Sequence, residues 1–311
     1  MVVCFILLTV EGIACHLFSR SLLAMLMPTP HFDRIRLSGS EASGTVLDAG
    51  GGWFNCGKPT EILICSRKNG NAWDPPSDIT IRNGRLRGSI RVVGMSRNGE
   101  GLEVRASSRR AGHTAAAQAA APFRIVISNV WIEATQLIPV YLSPGVTRTT
   151  IKECVITGRS SSVALYLDAE SARNTVCGNL FAVRVGREVV AVDGSAENII
   201  VSNRFERMPL GGVYLYRNCG EGGTVRHQTP HGNRIEGNRF NGRALGWRSY
   251  GVWIGSRNGR SAYRDDDAGF PFGSSLDNRD FADDNTVADN LFLPSSRRAV
   301  RNDGANNRVV R

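Results

Sequence analysis

Apolar and polar residues follow a short frame that recurs along the second half of the chain. The frame reads Asn-x-Val/Ile-x-x-Asn-x-Phe, with full copies at Asn174, Asn198, Asn233 and Asn285 and a truncated copy at Asn307. The starts lie 24, 35, 52 and 22 residues apart, which indicates one short period that is lengthened twice by inserted loops. Because each copy is short and rich in β-branched residues, it favours a strand over a pair of helices.

A strand repeat of this length predicts a stacked array, since no single copy can bury its own apolar face. The recurring Asn has a physical role: it tolerates the left-handed backbone of a tight corner, and stacked Asn amides can bond to one another as a ladder. The apolar frame positions are then predicted to face a common core, beside a column of phenylalanines. The predicted core residues are Val176, Ile200, Ile235 and Val287, and the predicted column is Phe181, Phe205, Phe240 and Phe292.

Looser copies of the frame precede the clear ones. Residues 44–52 form a glycine-rich segment typical of a corner that needs positive φ, and residues 79–83, 125–129 and 151–154 begin further strands. With these repeats the chain resembles the right-handed parallel β-helix family, the pectate-lyase-like superfamily, from roughly residue 44 onward. The resemblance implies an all-β fold, a single-stranded right-handed parallel β-helix (solenoid) with long loop insertions, which we assign to residues 31–311.

Residues 1–30 form a separate apolar segment. The apolar run at 2–10 is shorter than the ~18–20 residues that a membrane span requires, so no span is predicted. No Lys or Arg precedes that run, as one does in an ordinary secretory signal. A degenerate signal and a misassigned start codon both remain open, and we expect an extracytoplasmic or secreted location.

Two segments interrupt the repeats in the first half of the chain. Residues 66–77 contain Asn and Pro and predict a loop. Residues 94–122 form an insertion whose alanine run predicts a short helix packed against the solenoid. Among the seven cysteines, Cys56 and Cys65 are close enough in sequence to close a short loop.

The charge of the chain narrows the choice of partner. The formal net charge is +10, and only three of the 38 basic residues are Lys. Arginine recognises carboxylate, sulfate or phosphate groups through two parallel hydrogen bonds. The chain has no run of basic residues and little aromatic interleaving, which argues against nucleic acid and favours an acidic polysaccharide. A coding bias toward Arg on solvated faces would produce the same composition.

A second strand in each repeat ends in a polar residue, and these ends form the candidate site. Turns of a solenoid stack at the strand spacing, ~4.8 Å, so equivalent strand ends become neighbours. Asp168 and Asp193 are predicted to lie on adjacent turns of one face, with Arg217 one turn further. Glu170 should project nearby. Two stacked carboxylates repel, so the pKa of one is expected to be raised.

Paired carboxylates support several chemistries, which the sequence leaves open. A glycoside hydrolase uses an acid and a nucleophile or base, and a lyase or epimerase removes the C5 proton of a neutralised uronate. The same groups could hold Ca²⁺, or could be corner residues that bond to their own backbone. We predict Asp168, Asp193 and Glu170 as catalytic residues. The Asp-Pro-His-Asp motif of mannuronan epimerases and the Gly-His-Gly and Asn-Thr-Asp motifs of polygalacturonases are absent, so no named activity follows.

Loop 218–231 is the first of two long insertions that flank this face. It carries Glu221, Arg226 and His227, which together with Arg217 are predicted to bind the substrate. Long loops on a rigid scaffold commonly carry function. We expect Arg226 and His227 to reach toward Arg217 and to form a cationic patch for a substrate carboxylate.

The second insertion, residues 256–284, contains three consecutive acidic residues. Asp265, Asp266 and Asp267 are a candidate Ca²⁺ site, because Ca²⁺ takes several oxygen ligands. They lack the spaced ligands of an EF-hand.

The sequence thus predicts a β-helix protein that binds an acidic polysaccharide and acts on it as a lyase, epimerase or glycoside hydrolase. The rival hypothesis is a non-catalytic carbohydrate-binding or adhesin-like solenoid. Ionisable groups that converge in one concave pocket would favour the enzyme. Arginines dispersed over a face would favour binding.

Overall fold

Short strands that repeat along the chain build the structure. The computed structural model describes residues 33–241, 249–260, 267, 270, 272–293 and 299–310, all within the unit that spans Phe32–Arg311. In chain order the strands are β1 (Asp33–Ser38), β2 (Val46–Asp48), β3 (Thr60–Cys65), β4 (Arg67–Asn69), β5 (Ala72–Asp74), β6 (Thr80–Val93), β7 (Val126–Gln136), β8 (Val140–Leu142), β9 (Thr150–Lys152), β10 (Val155–Ser160), β11 (Leu165–Leu167), β12 (Thr175–Cys177), β13 (Leu180–Phe181), β14 (Val190–Asp193), β15 (Ile199–Val201), β16 (Arg204–Phe205), β17 (Val213–Tyr216), β18 (Arg234–Glu236), β19 (Arg239–Phe240), β20 (Val252–Ile254), β21 (Thr286–Ala288), β22 (Leu291–Phe292), β23 (Val300–Asn302) and β24 (Arg308–Val309). The helices are α1 (Leu102–Ser108) and α2 (His113–Ala119), and short 3-10 turns lie at Ser40–Ala42, Phe54–Gly57 and Glu221–Gly223.

Apart from the β4–β5 hairpin, the strands pair in parallel with the strands of the neighbouring turns. Strand β11 lies between β8 and β14, β12 between β9 and β15, and β13 between β10 and β16. Three columns of strands therefore run along the axis, and the chain passes through them in a fixed order. We name them column 1 (with β8, β11, β14, β17 and β20), column 2 (with β9, β12, β15, β18 and β21) and column 3 (with β10, β13, β16, β19 and β22). This architecture is the predicted parallel β-helix.

The predicted core is confirmed. Val176, Ile200, Ile235 and Val287 occupy one register of column 2 and are buried. The rings of Phe181 and Phe205 stack at 4.9 Å between centroids, those of Phe205 and Phe240 at 4.6 Å, and those of Phe240 and Phe292 at 4.8 Å. Nearly parallel planes, within 5–8° of each other, let each ring cover its neighbours, so the stack fills the core beside column 3.

Two ladders of Asn side chains run along the corners of the solenoid. Asn198 is typical, because its Oδ1 accepts hydrogen bonds from both the backbone N–H (3.0 Å) and the Nδ2 (3.1 Å) of Asn174. The bond pattern repeats from turn to turn, so corner N–H groups that lack a strand partner are satisfied by an amide. One ladder comprises Asn174, Asn198, Asn233, Asn285 and Asn307, and the other comprises Asn179, Asn203, Asn238 and Asn290.

The backbone role predicted for Asn is wrong for the residues of the ladders, although Asn83 and Asn129 in the looser copies take left-handed φ (52° and 51°). The left-handed conformation belongs to the residue before each Asn of the first ladder, as at Arg173 (φ 57°), Glu197 (φ 56°) and Asp284 (φ 56°). The Asn itself is needed for its amide, which must both accept from one turn and donate to the other. The corner conformation and the ladder are therefore separate requirements on adjacent residues.

Other expectations for the chain meet mixed outcomes. The predicted loop at 66–77 is instead the antiparallel hairpin β4–β5, since Gly70 takes a positive φ of 58° at its tip. The alanine run forms α2, as predicted. Cys56 and Cys65 are both free thiols, so they do not close a loop. The apolar segment 1–30 lies outside the described residues, and no described helix is long and apolar enough to cross a membrane.

The Phe column makes a first prediction. Replacing Phe205 with Ala leaves a cavity between two stacked rings and should lower the free energy of unfolding by ~3–5 kcal/mol. The matched control is Arg204→Ala, which removes an exposed side chain from the same strand and should cost less than about 1 kcal/mol. Urea denaturation followed by circular dichroism measures both, and equal losses would contradict the stacked core.

The ladder makes a second prediction. In Asn203→Asp the new carboxylate loses the Nδ2 donations to Val176 O (2.8 Å) and Asn238 Oδ1 (3.0 Å). It should destabilise the protein by roughly 1–3 kcal/mol for each buried acceptor left unpaired. Burial raises the pKa of such a carboxyl, so the deficit should shrink as the pH falls and the acid becomes protonated. Asn306→Asp, at an exposed corner, should change the stability by about 0.5 kcal/mol or less at any pH.

Candidate functional site

The predicted carboxylate pair lies where column 1 ends. Leu167 pairs with Val192, which places the next residues, Asp168 and Asp193, at equivalent positions of adjacent turns. Each carboxylate accepts a hydrogen bond from a tyrosine hydroxyl: Tyr141 donates to Asp168 Oδ2 at 2.6 Å and Tyr166 to Asp193 Oδ2 at 2.7 Å. The two acids are 1% and 0% exposed. The pairing follows the predicted alignment, but both side chains are covered.

Arg226 covers this pair from loop 218–231. Its Nη1 lies 3.3 Å from Asp168 Oδ1 and its Nη2 lies 3.6 Å from Glu221 Oε2. Asp193 Oδ1 accepts from the backbone N–H of Asn218, at 2.8 Å. Burial raises the pKa of Asp168 to about 6, the Arg226 charge opposes that rise, and the Asp193 charge adds to it. One guanidinium therefore serves two buried aspartates and the partly exposed Glu221. We call Asp168, Asp193, Glu221 and Arg226 the corner cluster.

Glu170 joins the corner cluster to both insertions. Its carboxylate accepts hydrogen bonds from the backbone N–H of His227 (2.8 Å), from that of Gln228 (3.1 Å) and from the hydroxyl of Thr114 (2.5 Å). Burial raises the pKa of Glu170, while the bonds from Thr114 and Gln228 lower it. The side chain is fully buried, so Glu170 holds loop 218–231 and the 94–122 insertion on one corner.

The predicted cationic patch of Arg217, Arg226 and His227 does not form. Asp193 pairs with Tyr216, so Arg217 lies one residue beyond the predicted register. Its guanidinium donates to backbone carbonyls, including Arg226 O at 3.0 Å, and stacks 4.3 Å from the ring of Phe272. His227 Nε2 lies 2.7 Å from Ser108 O. The two arginines are instead used inside the protein, because buried acids and carbonyls need partners.

The predicted Ca²⁺ site is mostly outside the described residues. Asp265 and Asp266 lie there, whereas Asp267 is buried and accepts a hydrogen bond from the backbone N–H of Ser275. Among the residues that the structure describes, no group of three or more His, Cys, Asp or Glu side chains is arranged to hold a metal ion. The assignment of Ca²⁺ to this segment stays a prediction.

A row of aromatic side chains covers the outer face of column 1 next to the corner cluster. Tyr141 and Tyr166 stack at 5.0 Å, and Tyr214 meets Trp253 edge to face at 5.4 Å. Guanidinium groups close the row at both ends: Arg91 lies 4.1 Å from the Tyr141 ring, and Arg301 lies 4.6 Å from Trp253. The four aromatic side chains are only 5–8% exposed, so they offer little open ring surface to a ligand.

An open concave surface lies at the corner between columns 3 and 1, where the sequence predicts no site. A cavity of about 690 Å³ there is lined by three exposed arginines, Arg159, Arg184 and Arg207. Within the described residues none of the three guanidinium groups has a hydrogen-bond or ion-pair partner. Val185, Met208 and Pro209 add apolar surface, and the lining also includes Ser160, Ser161 and Glu206. We call this feature the arginine groove.

The acid in the arginine groove does not neutralise those arginines. The Glu206 carboxylate forms an ion pair with Arg204 and accepts a hydrogen bond from Asn241 Nδ2 at 2.9 Å. A signal for the groove was present in the sequence, because Arg184 and Arg207 follow the frame phenylalanines by three and two residues. Because the two arginines follow their phenylalanines at different distances, the frame does not align them.

Comparison with known proteins adds one finding to this geometry. No curated protein and no solved structure matches the chain. A family model described as a right handed beta helix region matches residues 69–265, which is more than half of the chain. Since that match coincides with the strand columns seen here, the chain belongs to the right-handed β-helix family.

Proposed function

We propose that this β-helix protein binds an acidic polysaccharide in the arginine groove. The observation that carries the proposal is a concave surface with guanidinium groups on three successive turns, Arg159, Arg184 and Arg207, that have no partner in the described chain. An unpaired guanidinium offers two parallel donors to a carboxylate or sulfate. The apolar side chains beside them suit the C–H faces of sugar rings. An extracytoplasmic location is part of the proposal, because it follows from the ligand class.

Catalysis at the corner cluster is the second candidate function. One observation favours it: Asp168 has a pKa raised to about 6 beside a second carboxyl, Asp193, as general acids often do. A substrate would reach these groups only if loop 218–231 moved, since Asp168, Asp193 and Glu170 are at most 1% exposed. Binding in the arginine groove needs no such movement. We therefore place binding first, and a lyase, epimerase or hydrolase activity second.

A triple substitution tests the binding proposal. Arg159→Ser, Arg184→Ser and Arg207→Ser combined should weaken binding to polyuronate at least tenfold, which is about 1.4 kcal/mol. Wild-type binding should also weaken as salt rises, because exposed charges are screened over ~8 Å at physiological ionic strength. Isothermal titration calorimetry at two salt concentrations measures both effects.

The control for this test removes the same charge elsewhere. Arg148, Arg239 and Arg308 are exposed and do not line the groove. Their combined replacement by Ser should leave the affinity within about twofold of wild type, apart from the small screened effect of net charge. Equal weakening by the two triple variants would show that net charge alone, rather than the groove, binds the polymer.

A separate experiment addresses the corner cluster. The folded pKa of Asp168 lies above its ordinary value of 3.8, so the stability it contributes is present below that pH and is lost as the pH rises through about 6. Asp193→Asn removes a neighbouring negative charge and should lower the pKa of Asp168. Carbon-detected NMR titration of the carboxyl group reports that shift, and an unchanged pKa would show that the pair is uncoupled.

The same variant separates catalysis from binding. If the pair is catalytic, Asp193→Asn should abolish the release of unsaturated products or reducing ends from polyuronate and leave binding in the arginine groove unchanged. Full product release by the variant would contradict the catalytic role of Asp193.

A further inference from the structure

We infer that the polymer lies parallel to the solenoid axis and places one anionic group on each turn, so that the protein selects polysaccharides charged on every sugar. This inference rests on the proposed function. It concerns the spacing between anionic groups that the arginine groove prefers. The presence of arginines alone does not determine that preference.

The backbone sets the spacing of the three arginines. Arg159 and Arg184 are bridge partners in parallel strands of adjacent turns. Two backbone hydrogen bonds fix this pairing, from Ser160 N to Arg184 O at 2.8 Å and from Arg184 N to Gly158 O at 3.0 Å. The spacing between their Cα atoms is therefore that of paired strands, ~4.8 Å.

Arg207 continues the row on the next turn. Phe205 pairs with Phe181 and Glu206 N donates to Phe181 O at 2.9 Å, so Arg207 lies on the turn after Arg184 but one residue out of register with it. Each of the two arginines immediately precedes a buried residue of its corner, Val185 or Met208, so both side chains leave the backbone just before the chain turns inward. Strand pairing fixes the spacing of Arg159 and Arg184, whereas Arg207 follows the last paired residues of its turn and extends the row by one further turn.

This pitch favours one class of polymer. The advance per sugar along an extended polysaccharide is close to the spacing between adjacent turns of the solenoid. A polymer with a carboxylate on every sugar therefore supplies one carboxylate for each arginine. A polymer that carries a carboxylate on alternate sugars presents its charges at about twice that spacing. It can reach Arg159 and Arg207 together, but it leaves Arg184 unmatched. The middle arginine is therefore the residue that discriminates.

Two oligosaccharides of equal charge test the inference. One is a hexamer of linked uronic acids, and the other is a dodecamer in which uronic acid alternates with a neutral sugar. Wild-type protein should bind the hexamer at least tenfold more tightly by calorimetry. Arg184→Ser should weaken the hexamer and leave the dodecamer nearly unchanged, whereas Arg159→Ser should weaken both. Arg184→Lys keeps the charge and should restore part of the preference.

The outcomes separate this inference from the function on which it rests. Equal affinity for the two oligosaccharides, or equal weakening of both by Arg184→Ser, would overturn the spacing inference while leaving polysaccharide binding in place. Binding of neither would overturn both. Circular dichroism of each variant confirms the fold, which exposed Arg→Ser changes should preserve.

Discussion

The structure depends on how its corners satisfy backbone N–H groups that have no strand partner. In the Asn ladders one amide oxygen accepts two hydrogen bonds from the previous turn, and the same side chain donates to a carbonyl of the solenoid or to the next amide, as Asn203 does. No other neutral side chain of that length offers both functions. Because each amide must sit directly above its neighbour, the ladder also fixes the register of the strands on either side. The stacked phenylalanines and the flat columns follow from that register.

Polar groups on the outer face find their hydrogen-bond partners in loops and in other side chains rather than in equivalent residues of the next turn. The buried acids of the corner cluster share one guanidinium, that of Arg226, and receive two tyrosine hydroxyls. Burying several carboxylates beside one cation costs desolvation free energy, and the raised pKa of Asp168 reflects part of that penalty. The same contacts hold loop 218–231 in a fixed position. The arginine groove shows the opposite arrangement, with exposed cations left unpaired.

Much of the fold could be predicted because the same residue types recur at fixed positions in each repeat. The positions of Val176 and Phe181, and the alignment of Asp168 with Asp193, needed only the frame and the strand spacing. The surroundings of Asp168 could not be predicted, since Arg226 reaches it from 58 residues away along an irregular loop. The sequence could not show which corner residue takes left-handed φ. Asn suits that conformation, but in the ladders the residue before each Asn adopts it and the Asn supplies its amide.

The meeting of the two insertions has a consequence for how the protein unfolds. A solenoid is nearly one-dimensional, so each turn ordinarily gains stability only from its two neighbours and can fray from an end. Here Arg105 donates to Gly222 O across 117 residues, and Val225 N donates to Ser108 Oγ. These bonds tie an early turn to a later one and enclose the turns between them. The enclosed turns, which carry both the corner cluster and the arginine groove, should therefore open together as one cooperative unit, while the outer turns open singly.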